Sequence, residues 1–170
     1  MCNAAIISVC NSGCTTSNLQ TAFDTLAACG DTIQIKSTDT QTGNYTITYR
    51  GCALNPIIVT SDQAASFPSG VSRITPSYLS VMAHITTPNS SPALVDVLDG
   101  MGRPPAGWNF IGVAFTSSSA GSTYALVWFN NYLATGSTQI SNNITFDRCY
   151  FYRSSTYTGN DLQNGIHADA

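Results

Sequence analysis

The clearest order in this chain is a pattern of apolar positions that occurs twice. Trp108-Asn-Phe110-Ile-Gly-Val113-Ala-Phe115 and Ile144-Thr-Phe146-Asp-Arg-Cys149-Tyr-Phe151 align without a gap. In both, apolar side chains fall at the first, third, sixth and eighth positions. The first two fit a short strand with one face inward, because side chains alternate along a strand. The extra residue before the sixth position fits a bend, and the last pair fits a strand on the next wall. A helix requires spacings of three and four, and β-branched and aromatic residues dominate here. Two strand–bend–strand units at a fixed period predict a solenoid of stacked coils.

The same alternation marks further strands at 31–35, 45–49, 56–60, 84–86, 93–98, 124–129 and 165–169. Turn-forming Gly, Asn, Asp and Pro separate them. Residues 18–29 read as one short amphipathic helix, with Leu19, Ala22, Phe23 and Leu26 on one face. Ser17 or Asn18 supplies the N-cap, and Gly30 ends the helix. Such a helix is expected to cover the apolar interior at the amino end of the stack. Between 61 and 83 the pattern breaks, which predicts a loop off the coil wall; Pro76 opens a short helix within it. No cap is visible at the carboxyl end, where the last strand predicts continuation past residue 170 or a partner. The domain reading is an extension at 1–17, then a parallel β-helix domain at 18–170.

Composition narrows the class. Of 170 residues, 43% are hydrophobic, enough for one sizeable core, and only 9% are charged. There is one lysine, Lys36, and no glutamate, so Ser, Thr and Asn make the surface. A net charge of -3 with no basic patch argues against nucleic acid. No apolar run approaches the roughly 20 residues of a membrane span. Four of the six cysteines, Cys10, Cys14, Cys29 and Cys52, cluster near the amino end. Two disulfides among them imply an oxidising compartment, hence a secreted or cell-surface protein, extracellular or periplasmic. A metal site is the alternative reading, but no second tight pair or histidine follows Cys10-x-x-x-Cys14. Cys149 falls at an inward position of the repeat and reads as a small buried hydrophobe.

Several stretches carry a family resemblance. These are Cys29-Gly30-Asp31-Thr-Ile33 after the helix, Gly43-Asn-Tyr45-Thr-Ile47, Asn55-Pro56-Ile-Ile-Val-Thr-Ser61, and the coil from Asn143 to Phe151. Over about residues 18 to 169 the chain resembles the amino-terminal portion of uncharacterised secreted bacterial members of the pectin-lyase-like, right-handed parallel β-helix superfamily. The resemblance implies an all-β, right-handed, single-stranded parallel β-helix with an amino-terminal capping α-helix, truncated at the carboxyl end. It also implies a polysaccharide partner, bound and in some members cleaved by a lyase or a glycoside hydrolase. Other members are non-catalytic adhesins, so fold alone does not fix activity. Calcium belongs to the lyases of the superfamily and would act in a full-length protein. No cofactor and no metal ligand set is identified in this chain. The hydrolase motifs Asn-Thr-Asp, Gly-His-Gly and Arg-Ile-Lys are absent, so catalytic residues are unassigned and this stretch is expected to be inactive by itself.

The candidate sugar-facing residues are Asp147, Arg148, Tyr150, Tyr152, Arg153, Asp161, His167 and Asp169. Asp147-Arg148 sits at the bend of the repeat, where side chains point outward; the alternative is a local surface pair of little energy. Tyr150 and Tyr152 share an outward face beside Arg153. His167 and Asp169 alternate with Ile166 and Ala168, which places both on one outer wall, within reach of Asp161; the alternative is a polar, frayed end. Trp108, Tyr124, Trp128, Tyr132 and Tyr157 complete the aromatics weighed for stacking on sugars, against ordinary cross-strand packing.

Overall fold

In a computed structural model, the structure describes residues 4–68, 73–119, 122–130, 140–153 and 162–169. Their strands lie in three separate sheets, parallel throughout. The first sheet has the order β1 (Ile6–Val9), β2 (Thr32–Ile35), β5 (Ile57–Ser61), β8 (Ala106–Ile111), β11 (Asn142–Asp147). The second runs β3 (Thr40–Thr42), β6 (Ala83–Thr87), β9 (Val113–Ser117), β12 (Tyr150–Phe151). The third runs β4 (Tyr45–Ile47), β7 (Leu94–Asp96), β10 (Thr123–Phe129), β13 (Leu162–Ala168). From β2 onward every third strand returns to the same sheet, and β1, in the segment read as an extension, adds one strand to the first.

This pairing corrects the expected fold. The expectation was one right-handed, single-stranded parallel β-helix with a capping α-helix. Among the described residues the strands are instead divided among three separate parallel sheets of five, four and four strands, with no closed solenoid. Sharp bends interrupt the pairing: Gly112 between β8 and β9, and Arg148 between β11 and β12, both have positive φ (65° and 51°). The expected helix at 18–29 is one α-turn, α1 (Leu19–Thr21), followed by a π-helical turn at Ala22–Leu26. Asn18 caps it, its Oδ1 accepting from the Thr21 amide at 3.2 Å. Ala27 N–H reaches back to Ala22 O, and the Arg50 guanidinium donates to the carbonyls of Asp24 and Ala27. These bonds satisfy acceptors that a helix end leaves open.

The repeat sets the register. Ile144 pairs with Trp108, Phe146 with Phe110 and Phe151 with Phe115. Trp108, Phe110, Val113 and Phe115 are fully buried, so the inward faces of the two strand–bend–strand units pair like on like. Phe110 and Phe146 stack with nearly parallel rings, centroids 5.0 Å apart, as do Phe115 and Phe151 at 5.2 Å. Inward residues of all three sheets meet in one core, and Phe23 closes its amino end against Trp108 at 5.5 Å. Described residues between β5 and β6, 62–68 and 73–82, pack over the second sheet. Phe67, Ile74 and Met82 form a smaller cluster there with Ala114, Tyr150 and Tyr152. Gly112 is required at that junction, since a Cβ would lie 2.0 Å from the Phe67 ring.

Two disulfides, Cys10–Cys14 and Cys29–Cys52, pin the amino-terminal end. They fit a protein folded in an oxidising environment. Among the described residues no helix is long and apolar enough to cross a membrane.

Candidate functional site

The outer face of the third sheet gathers a set of polar and aromatic side chains. Tyr124 and Trp128 are four residues apart on β10, and a strand's period of two puts both on the same face. β13 pairs in parallel with β10 and places His167 directly opposite Trp128, while Val95 of β7 flanks Trp128 on its other side. The three rings are in mutual contact. Centroids are 5.3 Å apart for Tyr124–Trp128, 4.9 Å for Tyr124–His167 and 5.5 Å for Trp128–His167. Both histidine contacts are edge-on, the arrangement in which a ring's positive edge meets a negative face.

Asp169 fixes the group. Its carboxylate accepts the Trp128 indole N–H at 2.9 Å on one oxygen and meets His167 Nε2 at 3.0 Å on the other. The Trp128 bond first, and the His167 bond second, hold the Asp169 carboxyl below its ordinary value. Asp169 is therefore the anchor that sets the orientation of both rings. Tyr124 stays 40% exposed, with its hydroxyl 3.4 Å from the imidazole nitrogens. Trp128 and His167 are half-buried, so one edge of the cluster remains open to solvent.

The other sequence-derived candidates lie elsewhere. Arg148 pairs with its neighbour Asp147 at 2.8 Å and reaches the Pro68 carbonyl at 3.4 Å, at the bend between β11 and β12. Tyr150 and Tyr152 point away from the main core, with ring centroids 5.5 Å apart, and pack against the Phe67–Met82 cluster. Arg153 is exposed just beyond β12. These five lie at and around β11 and β12 of the first and second sheets, whereas His167 and Asp169 belong to the β13 end of the third. Asp161, Tyr132 and Tyr157 lie outside the described residues. Trp108 is wholly buried and His84 binds the Leu79 carbonyl at 2.8 Å, both in packing roles.

Tyr124 and Trp128 are the members of the cluster that the sequence pattern did not assign to a site. Their spacing on an alternating strand was a signal. Their match to His167 was hidden, because the stretch before β13 does not keep the spacing of the gap-free repeat. Among the described residues no three His, Cys, Asp or Glu side chains converge as a metal site. In the comparisons with known proteins, no family model, curated protein or solved structure matches this chain.

Proposed function

We propose that this is an extracellular glycan-binding protein in which the Tyr124–Trp128–His167 face receives a sugar ring of a polysaccharide. The observation that supports this reading is the set of three touching rings, anchored by Asp169, on the outside of a parallel sheet. Sugar rings present C–H faces to an aromatic surface and hydroxyls to its polar rim. Here the rings offer the first contact, and the Tyr124 hydroxyl and His167 offer the second. A platform already held in place loses little side-chain entropy on binding. Its rigid aromatics are of the type that dominates binding energy.

Binding rather than cleavage suits this face. A general acid in glycoside hydrolysis needs a carboxyl with a raised pKa. Asp169 is shifted the opposite way and is committed to two donors. A carboxylate held below its ordinary value is also a weak base. The two disulfides agree with an extracellular setting, where such polymers occur.

The test is affinity electrophoresis in gels carrying soluble neutral and acidic polysaccharides, comparing wild type with Trp128→Ala and Tyr150→Ala. Loss of one central aromatic contact weakens binding by about 30-fold, equivalent to about 2 kcal/mol. Retardation of wild type and Tyr150→Ala but not of Trp128→Ala is expected. Equal retardation of all three, or of none on any polymer, overturns the proposal.

A further inference from the structure

Asp169 brings a negative charge to the third-sheet face. Its side chain is 33% exposed, so the charge reaches the open edge of the ring cluster. The six lysine and arginine side chains of the sequence belong to other elements. Lys36 follows β2, and Arg73 stands exposed between β5 and β6. Arg50 donates to the carbonyls of Asp24 and Ala27, and Arg103 pairs with Asp99 over the Tyr49 ring. Arg148 pairs with Asp147, and Arg153 follows β12. Among the described residues, none of the six forms an ion pair or cation–π contact with Tyr124, Trp128, His167 or Asp169.

The stretches next to β10 and β13 supply no cation either. Residues 131–139 contain no charged residue, and residues 154–161 contain one, Asp161, which is acidic. Asp96 of β7, wholly buried, could add only negative charge. His167 is the one group on the face that can become positive. Its Nε2 lies 3.0 Å from the Asp169 carboxylate, so a proton there is matched by that carboxylate before any ligand.

Given the glycan-binding reading of this face, on which this rests, we infer that the face selects neutral glycans, polymers of hexose or N-acetylhexosamine, and disfavours uronate and sulfate polymers. Stacking uses the C–H faces of the sugar, which a uronate shares with its neutral parent, so charge makes the difference. An anionic group brought to the rings loses water, gains no counter-charge and meets the like charge of Asp169. The Tyr124 hydroxyl both donates and accepts, as the hydroxyls of a neutral sugar do. A cationic glucosamine polymer is the weaker fit, because both Asp169 oxygens already take a donor, from Trp128 and His167.

The experiment is calorimetric titration of the full chain with oligomers paired by backbone: glucose and glucuronate, mannose and mannuronate, chitin and chitosan. Each is run at about 0.02 M and about 0.5 M NaCl, which changes the screening length several-fold. At least one neutral oligomer should bind, with an affinity that salt leaves unchanged and that Trp128→Ala lowers about 30-fold. Its acidic counterpart should bind about tenfold or more weakly at low salt and recover part of that loss at high salt. A uronate oligomer that binds as tightly as its neutral counterpart, and loses binding in Trp128→Ala, overturns the charge selection while leaving the face a glycan site. Tighter binding of chitosan than of chitin oligomers through Trp128 overturns it in the same way. Binding by no oligomer, or binding that Trp128→Ala leaves intact, overturns the glycan-binding reading and the charge selection with it.

Discussion

Removing the disulfides one pair at a time should separate two contributions of different size. Cys10–Cys14 closes a loop with a sequence separation of 4, and Cys29–Cys52 one of 23. Each pair has one sulfur-bearing side chain that is essentially buried, Cys10 and Cys52, so truncation to alanine costs the two pairs similar packing. What differs is the entropy each link removes from the unfolded chain. The loop-closure relation gives about 1.9 kcal/mol for the short loop and about 3.4 kcal/mol for the long one. Urea unfolding of Cys10→Ala/Cys14→Ala and Cys29→Ala/Cys52→Ala measures this. With a slope of about 2 kcal/mol per molar, the midpoint falls by about 1 M in the first variant and about 1.7 M in the second. Together the links supply about 5 kcal/mol, comparable to the whole net stability of many domains. Full reduction should therefore leave the protein largely unfolded at 37 °C. Equal losses, or a larger loss from the short loop, would refute the reasoning; the long link would then be strained, or the unfolded chain already compact near Cys29.

Three further outcomes follow from the packing and the titrations. Gly112→Ala should cost about 2–5 kcal/mol, from its positive φ and the collision with Phe67, whereas Gly100→Ala, whose Cβ meets nothing within 4 Å, should be nearly neutral in the same urea assay. Burial pushes the Cys149 thiol up to about 12, so iodoacetamide at pH 8 should leave the native protein unlabelled there and label it once urea unfolds the chain. The Asp169 carboxyl is lowered from 3.8, so its contribution is complete above the ordinary carboxylate range and is lost as pH falls through the depressed native value. The acid limb of the Trp128 indole N–H resonance should therefore have its midpoint below 3.8, and Asp169→Asn should abolish that limb. A midpoint at or above 3.8 contradicts the assignment of Asp169 as the anchor.

How much of this was legible beforehand depended on whether a position carried an apolar signal. The repeat from Trp108 and Ile144 was readable because every inward position holds an apolar side chain, most of them large, and the structure pairs the two units directly. β3 was not, because Thr40-Gln41-Thr42 contains no apolar residue; its inward position is filled by the amide of Gln41. β1 was masked by the nearby cysteines, which drew Ile6–Val9 into an apparent extension. The expected continuous helix failed at Ala22, where the chain widens into a π-turn that ends on the Arg50 guanidinium, a contact from far along the chain. The expectation of a single β-helix came from the period of the repeat together with the family resemblance. Period reports how often the chain revisits a position, not how its backbone pairing is partitioned, and the pairing is divided among three sheets.

The site divides the same way. His167 and Asp169 were legible as a pair on one outer wall, because alternation fixes the facing of neighbours within a strand. Their partners Tyr124 and Trp128 depend on the register between β10 and β13, which the sequence alone leaves free to slip. Tyr150 and Tyr152 do face away from the main core, but they pack against Phe67, Ile74 and Met82, a long-range contact with no local signature.

The glycan-binding reading rests on one face, and the chain's two tryptophans allow a direct reading of it. Trp108 is wholly buried in the core, with its indole N–H toward the Thr48 carbonyl, while Trp128 stands half-exposed on the third sheet. Two indole N–H signals in an NMR spectrum of the wild-type protein thus report on the interior and on the site. On titration with the polysaccharide fragments that bind in the gel assay, the Trp128 signal should shift and saturate while the Trp108 signal stays fixed. Binding with no movement of the Trp128 signal, or with movement of Trp108 alone, would contradict the account.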